Sequence, residues 1–554
     1  MATIQFKGKE IVRNYHLTVP FYELVPDEKK SLSKKQSLND NLIIHGDNLL
    51  VLKALLPTYA GKVKCIYIDP PYNTGNENWA YNDNVNSPMM KEWLGKVVDK
   101  DDLTRHDKWL CMMMPRLKLL RELLRDDGVI FISINDIEQH HLRLLMDEVF
   151  DGGFISSIVR QTIKGGTGPS DSIRLTHDYV LVYAKDKDFV DLSGLAAETI
   201  ELDQKDKKGP FAKGRELNKW DAGSRREDSP SMWFPITGPK GEEVYPIRND
   251  GSEGRWRWGK KKMLEAVRIE DVIFEKRNDG TYIVYEKVRG NDGRSKSYQS
   301  LFLDKYTNAL GTEEIKSIFD GKVVFDYPKP TELIKTLCRI ASVSEGDIVL
   351  DSFAGSGTTA QSVLSFAREE EINNIKFILV QLSEKVEKDK PAYKIGFREI
   401  VDVTTERVRR VIKGVKGAKD EDLKKGLGGS FCFYELGKPI DTERILKGND
   451  LPTFIEMARY IYFTATCEEF NENKVNEKTG LIGESKEYLV YLFYKPDMEY
   501  LKSTALTLER AEALGKFKGK KRLVFAPTKY LDQEHLERLH INFAQLPFEI
   551  YQKQ

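Results

Sequence analysis

The sequence predicts an α/β fold with a Rossmann-like, mostly parallel sheet. Short and almost unbroken apolar runs, such as 63–68 and 129–134, alternate with segments whose apolar residues recur at helical spacing. Strands of this kind are buried on both faces, and the intervening helices cover a parallel sheet from both sides. The chain has 554 residues, which is too long for one ordinary core, so we expect several domains.

In the first part of the core, predicted over 1–185, strands and helices alternate. The predicted elements are a strand at Leu42–His45, a helix at about 49–56, a strand that ends at Ile68, a helix at about 105–126, a strand at Val129–Ile134, a helix at about 136–149 and a strand at His177–Tyr183. A glycine-rich break at 165–168 precedes the last of these strands.

The alternation is lost over 186–325, where turn signals such as Asn249-Asp250-Gly251 separate short strands, and we predict an inserted domain there. The second part of the core is predicted over 326–415. Its elements are a helix near 332–334, a strand at Asp347–Leu350, a helix at Thr358–Arg368, a strand at Phe377–Val380 and a basic helix at about 398–413. A Lys- and Gly-rich linker at 414–429 leads to a small α+β domain, predicted over 430–554.

The segment Asp69-Pro70-Pro71-Tyr72 directly follows a strand, and ligands of open α/β sheets bind outside the carboxyl ends of strands. Its residues suit methylation of an amino group on a nucleobase, which is a poor nucleophile because its lone pair is delocalised into the ring. The Asp69 carboxylate and the Pro70 carbonyl can accept the two N–H groups, the prolines fix the backbone, and Tyr72 offers a face for a flipped base. A rigid turn is the alternative interpretation.

A second motif, Asp351-Ser352-Phe353-Ala354-Gly355-Ser356-Gly357-Thr358-Thr359, follows another strand and precedes a helix. Its glycines permit a tight turn and close approach of a ligand to the helix N-terminus, which suits a nucleotide-like cofactor. The motif is not a Walker A loop, since no Gly-Lys-Ser/Thr follows, and Thr358-Thr359 replaces the third glycine of the dinucleotide fingerprint. Packing alone can also explain such a turn, but its pairing with Asp69–Tyr72 favours an active site.

The composition is that of an ordinary globular protein, with 40% hydrophobic and 31% charged residues and no apolar run long enough for a membrane helix. The five cysteines lack metal-ligand spacing and the first residues lack a secretory signal, so we expect a cytoplasmic protein without a metal site. The 86 basic and 86 acidic residues balance, so binding of nucleic acid requires the basic groups to be segregated on one face.

The order of the two motifs, with the glycine loop second, resembles the permuted beta class of S-adenosylmethionine-dependent DNA amino-methyltransferases. Three further segments resemble the modification (Mod) subunits of type III restriction-modification systems. They are Arg255-Trp256-Arg257-Trp258-Gly259, Phe325-Asp326-Tyr327-Pro328-Lys329-Pro330 and Phe543-Ala544-Gln545-Leu546-Pro547-Phe548-Glu549-Ile550-Tyr551. The resemblance implies a methyltransferase core, S-adenosylmethionine as cofactor, and the N6 amine of a flipped adenine in double-stranded DNA as target. It also implies that 186–325 is a target-recognition domain.

The resemblance assigns roles to individual residues. It places Asp69, Pro70, Pro71 and Tyr72 at the target amine, and Phe353, Ala354, Gly355, Ser356 and Gly357 around the cofactor, with Phe353 against its adenine. Further cofactor contacts are expected from Asp351, Thr358, Asp47, Lys329, Pro330 and Thr331. Helix capping is the alternative role for Asp47 and for 329–331. Many relatives bind the ribose through an acidic residue where this chain has Gln381, so Glu384 is a second candidate for that contact.

Basic and aromatic residues interleave in the insert, from about 210 to 300. The predicted nucleic-acid contacts are Arg255, Trp256, Arg257, Trp258, Lys260, Lys261 and Lys262. Such a mixture suits phosphate contacts and base stacking, so we predict that the insert reads the target sequence. A solvated surface with core tryptophans is the alternative.

The sequence shows neither a Walker A motif nor a nuclease constellation, so DNA cleavage would require a partner. The resemblance implies a homodimer and a separate ATP-dependent restriction subunit, and the C-terminal domain is a candidate for these contacts. Two alternatives stay open, a cytosine-N4 methyltransferase and a catalytically silent DNA-recognition subunit.

Overall fold

The structure is a computed structural model, and it describes residues 3–74, 104–165, 173–193, 195–196, 202–219, 223–289, 295–440, 451–515, 517 and 519–546. Two predicted features lie partly or wholly outside these residues. They are the glycine-rich break at 166–168 and the final residues 547–551 of the C-terminal segment.

A ten-stranded sheet forms the centre of the larger compact unit, which comprises residues 1–193 and 299–554. Its strands, in chain order, are β1 (Phe21–Pro26), β2 (Leu42–His45), β3 (Val63–Ile68), β4 (Leu124–Ile134), β5 (Phe154–Gln161), β6 (His177–Ala184), β7 (Leu301–Phe302), β8 (Ile348–Asp351), β9 (Lys376–Gln381) and β10 (Cys432–Ile440). The spatial order is β1-β10-β2-β9-β8-β3-β4-β6-β5-β7.

The central strands of this sheet are parallel. Strands β10, β2, β9, β8, β3 and β4 pair in parallel along the row, and β5 pairs in parallel with β7. Strand β6 runs antiparallel to both β4 and β5, and β1 runs antiparallel to β10. The predicted mostly parallel α/β fold is therefore confirmed, with an antiparallel strand at β6 that the apolar run at 177–183 does not reveal.

Burial explains why the central strands could be located from apolar runs. Every residue of β3 and β8 is buried, as are the first three residues of β2, because helices cover both faces. The helices of this unit are Lys9–Val12, Tyr15–Thr18, Asn48–Tyr59, Arg105–Leu123, Asp136–Val149, Asn308–Ile318, Thr331–Ile340, Thr358–Glu369, Pro391–Lys394, Ile400–Lys413, Glu421–Lys425, Phe454–Thr466, Met498–Ser503, Leu508–Ala513 and Gln533–Arg538. Across the described ranges, every helix is too short or too polar to span a bilayer.

The smaller compact unit spans 194–298, a narrower range than the predicted insert at 186–325. Its longer strands, Val272–Lys276, Tyr282–Val288, Gly209–Glu216 and Gln204–Asp206, form an antiparallel sheet in that order. Its helix is Lys260–Arg268, its 3₁₀ turns are Arg226–Asp228 and Pro230–Met232, and its short strands are Leu195–Ala196, Asn218–Lys219, Ile236–Thr237, Glu243–Val244, Arg255–Trp256 and Ser295–Lys296.

The C-terminal part has its own four-stranded sheet, formed by Leu481–Glu484, Tyr488–Leu492, Lys521–Ala526 and Ile541–Gln545. A 3₁₀ turn at Glu472–Lys474 precedes it. The predicted domain at 430–554 nevertheless begins inside the core, because β10 lies between β1 and β2 in the main sheet. Two further hydrogen bonds connect β10 to the N-terminal segment. The Phe433 amide donates to the Ser31 hydroxyl, and the Phe433 carbonyl accepts from the Asp27 amide.

Candidate active site

Four neighbouring parallel strands carry predicted site residues at the same edge of the sheet. Asp47 follows β2, Gln381 ends β9, Asp351 ends β8 and Asp69 follows β3. Strands β8 and β3 are adjacent, with Leu350 opposite Ile66. The two motifs are about 280 residues apart in sequence and come together because parallel strands have their carboxyl ends on one side.

The Asp69 carboxylate presents one engaged oxygen and one open oxygen. Its Oδ2 atom forms an ion pair with Nζ of Lys329. Its Oδ1 atom is buried and has no hydrogen-bond partner in the part of the chain that the structure describes. A buried acceptor without a partner is costly, so this oxygen is suited to accept a hydrogen bond from a bound group.

The backbone and ring of the following residues are held by three contacts. The Trp109 indole donates a hydrogen bond of 2.7 Å to the Pro71 carbonyl. The Tyr72 hydroxyl donates to Oδ2 of Asp178 at 3.3 Å, and the Lys329 Nζ lies 5.1 Å from the centre of the Tyr72 ring. Burial, followed by the nearby charges of Asp69 and Asp178, raises the pKa of Tyr72 well above its usual value, so the phenol stays neutral.

The Asp178 carboxylate that accepts from the Tyr72 hydroxyl also forms a buried ion pair with Arg160. Arg160 is 1% exposed, and its Nε donates to Oδ1 of Asp178 at 2.7 Å while Nη2 contacts the other carboxylate oxygen. Burial opposes the charged form of Arg160, but the charge and hydrogen bonds of Asp178 raise the pKa of Arg160 above its usual value, so the guanidinium stays cationic. Asp178 reaches this edge because β6 is antiparallel and begins where β4 ends.

Asn73 ties the end of the motif to a cluster around Glu138. Its Nδ2 donates to Oε1 of Glu138, which also lies 2.6 Å from Nδ1 of His106. The other carboxylate oxygen lies 2.9 Å from Nδ1 of His141. Among the described residues, His106, Glu138 and His141 are the group whose ligand atoms, all within 4.8 Å of one another, could hold a metal ion. In the structure these atoms form hydrogen bonds with one another.

The glycine loop turns through left-handed backbone at two positions, with φ of +51° at Gly355 and +80° at Gly357. A Cβ at Gly355 would lie 3.2 Å from the Phe325 ring, and a Cβ at Gly357 would lie 3.1 Å from the carbonyl of Thr404. Both positions therefore require glycine for conformation as well as for space. Gln381 Oε1 accepts from the Gly355 amide at 2.7 Å, and the Thr404 hydroxyl donates to the Gly355 carbonyl.

Asp351 is an almost fully buried carboxyl at the start of this loop. It accepts from the Phe353 amide at 2.9 Å and from the Thr359 hydroxyl at 2.5 Å. Burial raises the pKa of Asp351 to about 7, although these two hydrogen bonds and the charge of Lys329 favour ionisation. Asp351 therefore titrates near neutral pH and shapes the turn that begins the loop.

Arg407 reaches the loop from the helix Ile400–Lys413 and was not predicted as a site residue. Its guanidinium is fully buried and donates to Oε1 of Gln361 at 2.9 Å, to Oγ of Ser356 at 2.9 Å and to Oγ1 of Thr358 at 2.7 Å. Burial lowers the pKa of Arg407 to about 10, which leaves it cationic at neutral pH. The sequence indicates only that this helix is basic, and a charge run usually marks an exposed face.

Two further predicted cofactor residues, Asp47 and Thr331, have structural partners in the protein. Asp47 caps the helix Asn48–Tyr59 through the Leu49 amide at 2.8 Å, which is its alternative role, and it also contacts Arg116. Pro330 precedes the helix Thr331–Ile340, and the Thr331 amide and hydroxyl both donate to Glu314. Glu384 is exposed, three residues beyond Gln381.

In the unit 194–298, the structure corrects two of the predicted nucleic-acid contacts. Trp256 is fully buried and donates its indole N–H to the Phe234 carbonyl at 2.8 Å, and Trp258 is 9% exposed. Both belong to the apolar core of this unit, so neither indole is available to stack on a base. Lys260, Lys261 and Lys262 are exposed at the start of a helix, while Arg255 and Arg257 are half-buried.

Comparison with known proteins gives one family and several relatives. The family described as DNA methylase matches residues 63–390. The EcoPI Mod subunit of a type III restriction-modification enzyme from Escherichia phage P1 is 33% identical over 477 residues, which cover 80% of this chain and 73% of that protein. The StyLTI Mod subunit from Salmonella typhimurium is 30% identical over 521 residues, covering 90% and 77%. The type II methyltransferase M.KpnI from Klebsiella pneumoniae is 35% identical over 404 residues, covering 70% and 92%.

Proposed function

Because the chain belongs to the DNA methylase family and is a DNA methyltransferase, we propose that it methylates the N6 amine of adenine in double-stranded DNA. The methyl donor is S-adenosylmethionine, which supplies an electrophilic methyl group when bound. The observation that carries the proposal is the open, buried Oδ1 of Asp69 at the end of β3, beside the strand that bears the glycine loop.

The Asp69 loop can hold an amine by both of its N–H groups. Oδ1 of Asp69 accepts one of them, and the Pro70 carbonyl, which has no hydrogen-bond donor among the residues described, accepts the other. Two acceptors on one side draw the planar amine towards tetrahedral geometry and expose its lone pair for attack. The Asp69 carboxylate also holds the proton that the nitrogen loses after the transfer.

Tyr72 provides the surface for the extruded base. Its hydroxyl is fixed on Asp178, which sets the orientation of the ring, and the phenol stays neutral. A flipped base gains stacking energy on such a ring and offers its amine to Asp69.

The residues around the glycine loop fit a nucleoside cofactor. The two left-handed glycines form the tight turn of this loop, and a Cβ at either position would press against Phe325 or Thr404 and displace the backbone that faces the ligand. Phe353, Ala354, Ser356 and Thr358 belong to this cradle, and Lys329 and Pro330 border it, since Thr358 Oγ1 donates to the Lys329 carbonyl at 3.2 Å. The Gln381 side chain supports the Gly355 amide, so Glu384 is the better candidate for the ribose hydroxyls.

DNA contacts are proposed for the unit 194–298. Lys260, Lys261 and Lys262 expose three successive positive charges, and Arg255 and Arg257 add partly exposed guanidinium groups. These groups suit phosphate contacts, which position the duplex and do not read its sequence.

Partners follow from the relatives. Two of the relatives named above are Mod subunits of type III restriction-modification enzymes, so we propose that this chain also acts as a modification subunit beside a separate restriction subunit. The family resemblance of the sequence motifs is the basis on which we further propose a homodimer, an ATP-dependent restriction subunit and a cytoplasmic location.

Identification of the methylated base tests the choice of adenine. DNA incubated with the protein and labelled S-adenosylmethionine is digested to nucleosides and analysed by mass spectrometry. N6-methyladenine is expected, and Asp69→Ala must abolish it. N4-methylcytosine as the product would refute the adenine assignment while keeping the amine chemistry, and label retained with Asp69→Ala would refute the mechanism.

A further inference from the structure

The residue after Tyr72 is unusually constrained. Asn73 is fully buried and adopts left-handed backbone, with φ of +58°. Asparagine tolerates this conformation better than most residues with a side chain. Its amide Nδ2 donates to Oε1 of Glu138, which lies 65 positions later in the chain, in the first turn of the helix Asp136–Val149.

Glu138 is a fully buried carboxylate with donors around it. Besides Asn73, it contacts Nδ1 of His106 at 2.6 Å through Oε1 and Nδ1 of His141 at 2.9 Å through Oε2. Burying a carboxylate is expensive unless several hydrogen bonds compensate, and an apolar residue of the same size would often give a more stable core. The arrangement therefore favours a role for the charge beyond packing.

The Glu138–Asn73 bond holds the residue that directly follows Tyr72, close in sequence to the two acceptors that the amine needs. Trp109 fixes the carbonyl of Pro71, and Asp178 fixes the hydroxyl of Tyr72. The bond to Glu138 fixes the following residue, so three successive residues of the loop are each tied to a different element. The direction of the Pro70 carbonyl and of the Asp69 carboxylate depends on this backbone.

We propose that Glu138 and Asn73 are positioning residues for methyl transfer, and that their hydrogen bond holds the Asp69 loop in the conformation that binds the target amine. This inference rests on the proposed amine chemistry of Asp69. Both side chains are buried and act on the loop through their mutual hydrogen bond, so the loss of this bond lowers kcat and leaves the affinity for S-adenosylmethionine unchanged.

The test exchanges the donor and the acceptor of the hydrogen bond between positions 73 and 138. Asn73→Asp places a carboxylate against the Glu138 carboxylate, and we expect kcat to fall by about tenfold or more because misplacement by a fraction of an ångström is costly in catalysis. Glu138→Gln alone keeps an acceptor oxygen for Asn73 but loses the charge of the carboxylate, so kcat falls by less than in Asn73→Asp. When both substitutions are combined, the new amide at position 138 donates to the new carboxylate at position 73, and most of the lost kcat returns.

Controls separate this positioning role from a loss of folding or of cofactor binding. Asn73→Ala removes the donor without adding charge, and Glu138→Gln must not rescue it or Asp69→Asn. Melting temperature and S-adenosylmethionine affinity report whether each variant is folded. If Asn73→Asp misfolds, the comparison of Asn73→Ala with wild type decides, and a wild-type kcat in that variant would overturn the proposal.

Two further outcomes have separate meanings. Wild-type protein that yields no methylated base amine would refute the proposed function itself, whatever the variants do. If EDTA abolished wild-type transfer and Zn²⁺ restored it, the cluster of His106, Glu138 and His141 would be a metal site, and the hydrogen-bond proposal would be overturned.

Discussion

The Nζ atom of Lys329 contacts the Oδ2 atom of Asp69, although the two residues lie 260 positions apart in the chain. The contact joins the segment before the glycine loop to the predicted catalytic carboxylate, and it leaves Oδ1 as the free acceptor. The resemblance placed Lys329 near the cofactor and did not indicate that its side chain reaches Asp69.

Lys329 is therefore expected to fix the Asp69 carboxylate. Lys329→Met removes the cation that holds Oδ2, so the carboxylate can rotate, and kcat should fall by about tenfold, which corresponds to one charged hydrogen bond. Lys329→Arg keeps a cation and should retain more activity than the Met variant. Steady-state kinetics of methyl transfer measure both, and equal rates for Lys329→Met and wild type would contradict the role.

Asp69→Asn should abolish most methyl transfer and leave cofactor binding intact. The variant keeps the size of the side chain but replaces the charged acceptor, and loss of such a group typically lowers kcat by about 100-fold or more. Single-turnover transfer and equilibrium binding of S-adenosylmethionine measure the two quantities. Asp126→Asn, at a carboxylate that is 75% exposed, is the matched control and should behave as wild type.

Arg407→Met should weaken cofactor binding. The substitution removes hydrogen bonds to Gln361, Ser356 and Thr358, and Glu314 loses a nearby charge. We expect the Kd for S-adenosylmethionine to rise by about tenfold or more, since one charged hydrogen bond is worth about 1.5–3 kcal/mol. Arg409→Met on the same helix removes a half-buried surface pair with Glu406 and should leave the Kd unchanged, as calorimetry would show.

Asp351 should make the stability of the protein pH-dependent. Its pKa in the folded state is about 7, above the unfolded value, so its stabilising contribution is full below the unfolded pKa and declines as pH rises through 7. Asp351→Asn keeps both hydrogen bonds, because the Thr359 hydroxyl can accept as well as donate. Between about pH 5 and pH 8, wild type should lose about 2–3 kcal/mol of unfolding free energy relative to this variant. Urea denaturation at both pH values measures the difference, and a constant difference would contradict the expectation.

Replacement of Lys260, Lys261 and Lys262 by Ala should weaken DNA binding and make the affinity for DNA depend less on salt concentration. Each lost phosphate contact lowers the dependence of log K on log salt by about 0.9, so the slope should fall by up to about 3. Lys205, Lys207 and Lys208 of the same unit, replaced together, provide the control. Binding isotherms at several salt concentrations measure the slopes, and equal slopes for the two triple variants would exclude the helix start as the contact.

Much of the core was predictable because its strands are buried on both faces and therefore read as apolar runs. The positions of Asp69 and Asp351 at strand ends followed from the same pattern. The antiparallel direction of β6 was not predictable, because an apolar run has no direction, and so the partnership of Tyr72 with Asp178 was also missed.

Side-chain burial was the other property that the sequence left open. Trp256 and Arg407 both lie in basic segments, and both are fully buried. An alternating pattern of Arg and Trp predicts an exposed binding surface and a folded core equally well. The burial of Trp256 and the hydrogen bond from its indole to the Phe234 carbonyl show that the indole belongs to the core. The contact of Arg407 with the glycine loop depends on where the helix Ile400–Lys413 packs, which the sequence does not show.

The C-terminal part is not a detachable module, because its first strand, β10, belongs to the main sheet. Cleavage or truncation near residue 429 would remove a strand from between β1 and β2 and leave β1 without its partner. Exchange of tails between relatives can therefore succeed only at junctions after residue 440. Substitutions in β1 and in β10 are consequently expected to affect one another's stability, because the two strands pair directly.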